Sequence, residues 1–138
     1  NQVGVPGCGF DADENALTAL AEIEARLLGA DVGMARTVAQ AVARVLAQPL
    51  LARARAAAAV GRCRRETPVT CRLDDGLLLE GVADLAFDDG DGWQVVDFKT
   101  DREHDAVRDA QYRRQVALYV KAIAQATGRP ASGTLLRL

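Results

Sequence analysis

Residues 80–100 read EGVADLAFDDGDGWQVVDFKT, two apolar-rich runs joined by the turn-forming segment DDGDG at 88–92. Each run has the composition of a β-strand, and so short a joint makes the two runs antiparallel neighbours. Each run also carries an acid where a strand normally places an apolar residue, Asp84 in the first and Asp97 in the second. Strand side chains alternate between faces, so Asp97 and Lys99 share one face and Phe98 takes the other. Any fold built on this hairpin must pair or use two carboxylates and an ammonium at one end of its sheet.

The remaining chain supplies layers for such a sheet. Residues 1–10, with three Gly and one Pro, read as an irregular opening. A helix capped by Asp13 is expected to run to Leu28, burying Leu17, Leu20, Ile23 and Leu27 and ending at Gly29. A second is expected over residues 32–47, presenting Val38, Val42, Val45 and Leu46, with a further helical turn from Pro49 to Ala58. Composition shifts at Gly61. Residues 62–72 read as a first strand, and Asp74-Asp75-Gly76 as a hairpin turn. Residues 77–87 and 93–100 form the second and third strands. The charged connector DREHDAVRD precedes a helix over residues 110–127, with Tyr112, Gln115, Val116, Tyr119 and Ile123 inward. Gly128 and Pro130 end it, and residues 134–138 form a last strand, reached by a helix long enough for a parallel crossover. The expected fold is therefore α/β: a small mixed sheet, made of a three-strand antiparallel meander plus a parallel strand, with N-terminal helices packed against it. One domain over 1–138 is expected, helical in 1–60 and carrying sheet and site in 61–138.

Composition narrows the chemistry. Hydrophobic content of 49% with 26% charged residues is that of a globular protein, and a net charge of −2 gives no overall basic field. The basic residues are fifteen Arg and two Lys, Lys99 and Lys121. A lysine inside DFKT in so Arg-biased a chain points to a need for a compact ammonium. Cys8, Cys63 and Cys71 lack metal-ligand spacing, which argues against a zinc or iron–sulfur site and fits a reducing compartment. The absence of a long apolar run argues against a membrane span. The chain lacks an initiator Met and stops within GTLLRL, so it reads as a piece of a longer protein.

Two carboxylates on adjacent strands repel unless a proton or a cation lies between them. Hard oxygen ligands suit Mg²⁺ or Mn²⁺, and a lysine beside such an ion can orient an attacking hydroxide and stabilise charge developing on a phosphate. On the spacing D-x-K alone, which often arises by chance, a solvated ion pair is the favoured reading.

Order and context add to this. Glu66-Thr67-Pro68-Val69, Gly81-Val82-Ala83-Asp84, Val95-Val96-Asp97-Phe98-Lys99-Thr100-Asp101 and Tyr112-x-x-Gln115-x-x-x-Tyr119 occur in sequence. Together they resemble the PD-(D/E)xK nuclease superfamily, in the branch found at the C-terminus of RecB- and AddA-type helicase–nucleases. The resemblance covers residues 47–138. It implies a restriction-endonuclease-like core and a Mg²⁺- or Mn²⁺-dependent deoxyribonuclease. The metal ligands would be Asp84, Asp97 and the backbone carbonyl of Phe98, with Lys99 as the catalytic lysine. Glu66 would lie near the metal or hold Lys99. Gln115 and Tyr119 match the family's Q-x-x-x-Y helix motif, which borders the site and positions the lysine or the DNA; Tyr119 is equally readable as core.

One departure stands out. Enzymes of this branch supply a further metal-binding histidine upstream of the first strand, whereas the single histidine here, His104, follows the lysine. Either the equivalent residue precedes Asn1 or the domain lacks it. The resemblance further implies single-stranded DNA held by backbone contacts, a second subunit, helicase domains in the parent chain, a bacterial cytoplasmic setting and a role in double-strand break repair. Arg53, Arg55, Arg62, Arg64 and Arg65 before Glu66, and Arg102, Arg108, Arg113 and Arg114 after Lys99, could line a phosphate-tracking groove or simply be solvated. The rival reading is an inactive relic that binds a partner subunit or DNA. Recognition elements of the kind that a resolvase- or restriction-type enzyme would need are not displayed by the sequence.

Overall fold

The computed structural model describes residues 14–100 and 105–138. The opening segment, the expected cap Asp13, and His104 with Asp101 and Arg102 lie outside them. Two compact units are present, divided between Arg55 and Ala56.

In the first unit α1 spans Glu14–Leu28 and ends at Gly29, whose φ of 67° is the left-handed conformation open to glycine without a Cβ penalty. The second expected helix begins differently. Asp31 Oδ1 accepts the Gly33 amide at 2.8 Å, tightening Val32–Met34 into a 3-10 turn before α2, Ala35–Leu46. The expected apolar stripes are core only in part, at Val45. Leu20, Ile23, Leu27 and Val38 are 55%, 51%, 75% and 50% exposed, and the buried positions of α2 are Ala35, Ala39 and Val45. Small residues bring α1 and α2 together, and Leu17, Leu20, Met34, Val38 and Val42 line an open apolar groove beside them. A third helix, α3, spans Pro49–Ala59, with proline in the first turn where its missing N–H costs nothing. Arg55 Nη1 donates to the Leu46 carbonyl at 2.6 Å, satisfying one of the orphan acceptors at the end of α2.

The second unit holds a four-stranded sheet of order β1-β2-β3-β4: β1 Cys63–Arg72, β2 Leu78–Asp88, β3 Trp93–Lys99 and β4 Ala131–Arg137. The pairs β1/β2 and β2/β3 are antiparallel and β3/β4 is parallel, from Trp93↔Ala131 to Lys99↔Arg137. The fold is thus the α/β mixed sheet expected. Both hairpin turns are closed by aspartates accepting amides two residues on: Asp75 from Leu77 at 2.9 Å, Asp88 from Gly90 at 2.9 Å and Asp89 from Asp91 at 3.2 Å. Asp88 also pairs with Arg129, tying the end of β2 to the segment before β4. These contacts, the Gly90 amide first, hold its carboxyl below the usual range despite opposing desolvation.

The crossover helix α4, Ala106–Thr127, starts a turn earlier than the expected Ala110, because Asp105 caps it by accepting the Val107 amide at 2.9 Å. It ends at Gly128, φ 66°. Strand β4 likewise starts at Ala131 rather than Thr134. None of the helices among the described residues is long and apolar enough to cross a membrane.

Helix α4 covers one sheet face, where Ala83, Ala86, Val95 and Ile123 form a core joined by Trp93, Tyr119 and Val120. Leu85, Phe87 and Val96, on the opposite face, are fully buried. The helix approaches β4 closely enough that a Cβ on Gly133 would lie 2.4 Å from Val116 Cγ1 and 2.8 Å from Val120 Cγ2. Both neighbours are β-branched and stiff at χ1, so neither yields cheaply. Gly133→Ala is expected to cost about 1–3 kcal/mol in urea denaturation. An unchanged midpoint would show that α4 sits more loosely.

Strand β2 breaks the alternation rule. A Cβ on Gly81 would meet Tyr119 Cε1 at 2.6 Å, so Gly81 faces α4, as Ala83 does. Strict period two would turn Ala86 away, yet Ala86 pairs with Val95 and packs in the same core. The facing reverses between Ala83 and Ala86, around Asp84. Opposite that point the β1 ladder skips Glu66, at φ 45°, between the pairs Arg65↔Leu85 and Thr67↔Ala83. For a side chain with a Cβ this is a strained conformation.

Candidate active site

The strand distortion sets the position of the first acid. Pairing of β2 with β3 ends at Leu85↔Val96. One step beyond, Asp84 Oδ2 accepts the Phe98 amide at 2.9 Å, a side chain taking the place of the backbone carbonyl that a regular ladder would supply. The two strands fork there, with Asp84 and Asp97 at the fork. Lys99 turns its carbonyl to the other edge, where it accepts the Leu138 amide at 2.9 Å. Backbone groups alternate sides along a strand, and the N–H and C=O of one residue point the same way. The Phe98 carbonyl therefore faces β2 and the carboxylates.

Asp97 is only 3% exposed. Its Oδ2 lies 2.9 Å from Lys99 Nζ, a buried ion pair whose direction falls short of a well-aligned hydrogen bond. Burial pushes the Asp97 carboxyl above its ordinary range and the neighbouring Asp84 adds to this; Lys99 opposes both without cancelling them. For Lys99, burial pulls downward. The Asp97 carboxylate, with smaller help from Tyr112 and Asp84, outweighs it and raises the ammonium above its usual value. Lys99 is thus a charged donor at neutral pH, unable to take a proton from water.

Helix α4 supplies the wall. Lys99 Nζ sits 4.3 Å from the centroid of the Tyr112 ring, within cation–π range. Gln115 Nε2 donates to Tyr119 Oη at 2.8 Å, and the Tyr119 ring lies over Gly81. The polar residue on the inner stripe of α4 therefore has a partner, and that partner is Tyr119. Tyr112 is the α4 residue in contact with the lysine. Sequence reasoning placed Tyr112 on the inner stripe and gave it no part in the site; its position three residues before Gln115 was the available signal.

Glu66 is exposed, and among the described residues no three His, Cys, Asp or Glu side chains cluster as a metal-binding group. The arginines are dispersed in their roles. Arg55 is engaged by Leu46, and Arg64 Nη1 donates to the carbonyls of Gly61 and Cys63, each at 3.0 Å. Arg114 Nε donates to Ala110 at 3.2 Å.

The donor set fits a hard divalent cation. Asp84, Asp97 and the Phe98 carbonyl offer only oxygen, and a cation at the fork would relieve the repulsion between the acids. Two carboxylates leave coordination positions for water and a phosphate oxygen, which is the habit of Mg²⁺ and Mn²⁺ sites.

Known proteins are similar to part of this chain. Over 68 residues, 47% of this chain, it is 34% identical to an ATP-dependent helicase/nuclease subunit of Desulforamulus reducens. Over 69 residues it is 35% identical to the protein of that name from Alkaliphilus oremlandii, and over 73 residues 30% identical to that of Bacillus licheniformis. These matches span 5%, 6% and 6% of the respective relatives' lengths. The family profile of the PD-(D/E)XK nuclease superfamily matches residues 7–138. With a mixed sheet that forks at Asp84 and Asp97 and sets Lys99 beside them, this chain belongs to the PD-(D/E)XK nuclease superfamily.

Proposed function

We propose that the chain hydrolyses phosphodiester bonds of DNA at the fork between β2 and β3. The observation that carries this reading is the buried Asp97 carboxylate, beside Asp84 and 2.9 Å from Lys99. Asp84, Asp97 and the Phe98 carbonyl would hold Mg²⁺ or Mn²⁺, which when bound supplies an acidified water and a Lewis acid for the phosphate. Lys99 keeps its proton and donates to the oxygen on which negative charge grows, or orients the attacking water. Tyr112 holds the lysine against its ring and limits the directions it can take. Gln115 and Tyr119 brace α4 against β2 at Gly81. Glu66 sits at the strained point opposite Asp84, where it helps shape the strand that presents this acid.

The biological setting is inferred from the relatives. A chain similar to part of a helicase/nuclease subunit would receive single strands from helicase domains of its parent protein, with help from a second subunit, during double-strand break repair in the bacterial cytoplasm. The competing reading, a DNA-binding domain without activity, is disfavoured because both acids and the lysine are present and Lys99 is paired with Asp97.

Incubating an end-labelled single strand with the chain should give cleavage with Mn²⁺ or Mg²⁺ and none in EDTA. An intact strand in all three conditions would overturn the nuclease reading.

A further inference from the structure

A cleft of about 500 Å³ opens between α4 and the β1/β2 hairpin, next to the catalytic fork. Val69 and Ala122 give it an apolar floor, while Tyr112 and Tyr119 contribute aromatic rings to its walls. Polar groups, among them Gln111 and Arg114, stand on its exposed side. Apolar surfaces flanked by rings, with hydrogen-bonding groups at the edge, suit a flat molecule whose faces are apolar and whose rim is polar. Tyr112 connects the cleft to the chemistry, since the ring that lines it also lies 4.3 Å from Lys99 Nζ.

We propose that this cleft takes one unpaired nucleobase of the strand whose phosphate is held at Asp84, Asp97 and Lys99. The inference deepens the nuclease reading and rests on it for the identity of the strand. It adds a contact to the base where that reading needs only contacts to the backbone. A base can enter only if it has left its stack and its partner, so the cleft makes the site selective for single strands or frayed ends. Stacking on aromatic side chains tolerates every base, so no sequence preference follows.

The test is binding without metal. A fluorescein-labelled thymidine strand too short to shift register on the chain is titrated in EDTA and followed by anisotropy, with a single abasic site placed at each position in turn. Loss of the base at one position is expected to weaken binding about tenfold, while loss elsewhere changes little. Leu118→Trp, which fills the cleft from α4, should weaken binding of the intact strand by a similar factor and remove the sensitivity to base loss. A flat abasic profile overturns the proposal, and because this arm needs no variant, a misfolded Leu118→Trp protein does not affect it. Losses that multiply in the variant also overturn it. Cleavage of the same strands in Mn²⁺ judges the underlying reading separately. An active chain with a flat profile removes the base site and keeps the nuclease; an inactive chain with one sensitive position does the reverse.

Discussion

Lys99→Ala is expected to lower metal-dependent cleavage by at least about a hundredfold, the usual consequence of removing one preorganised charged donor from a site of developing negative charge. Metal affinity should not fall with it. The ammonium lies 2.9 Å from Asp97 Oδ2, where it competes with any cation for the same oxygen. Its removal should leave Mn²⁺ binding unchanged or tighter. Lys99→Arg separates charge from shape, because a planar guanidinium keeps the charge but spreads it over a larger fork than the compact ammonium between Asp97 and the Tyr112 ring. It should recover little of the lost rate. Cleavage retained by Lys99→Ala would assign the lysine a structural role and remove it from the mechanism.

Asp97→Asn should abolish cleavage and at the same time raise the melting temperature of the metal-free protein. The sign follows from the direction of the Asp97 shift. A carboxyl whose folded-state pKa lies above its unfolded value of about 3.8 binds protons more strongly when folded. Stability therefore falls as pH rises through the window between the two values, and the loss persists at neutral pH. Asparagine cannot ionise and escapes that cost while keeping the shape. The gain should fade as the pH drops toward and below about 3.8, where Asp97 is protonated in both states. Added Mn²⁺ should stabilise the parent and leave the variant unmoved, reversing their order once the metal is well above its dissociation constant. A variant that melts lower at every pH would mean that the Asp97–Lys99 pair serves the fold. Tension between stability and function of this kind is common where a charge is held buried for use.

Much of this was legible in the sequence, because the sheet is built from local signals. Short turns rich in Asp and Gly fix the meander, and the crossover helix leaves the parallel position beside β3 for the last strand. The pairing of Asp97 with Lys99 follows from period two alone. What the sequence concealed came from contacts between distant residues. Period two fails in β2 around Asp84, where Glu66 at φ 45° interrupts the neighbouring ladder, and nothing local to either strand announces this. The contact of Tyr112 with Lys99 joins α4 to β3 across the connector, so helical spacing could place the ring inward without naming its partner. The stripes of α1 and α2 misled for another reason. Helical periodicity shows which face is apolar, and Leu20, Ile23, Leu27 and Val38 show that an apolar face is not always a covered one.

Calorimetric titration of Mn²⁺ into the chain, into Asp84→Asn and into Asp97→Asn tests the proposed cation site at Asp84 and Asp97 most directly. Saturable binding by the parent chain that disappears in both variants is the predicted result. Binding that survives both substitutions, or no binding by the parent, would contradict the site.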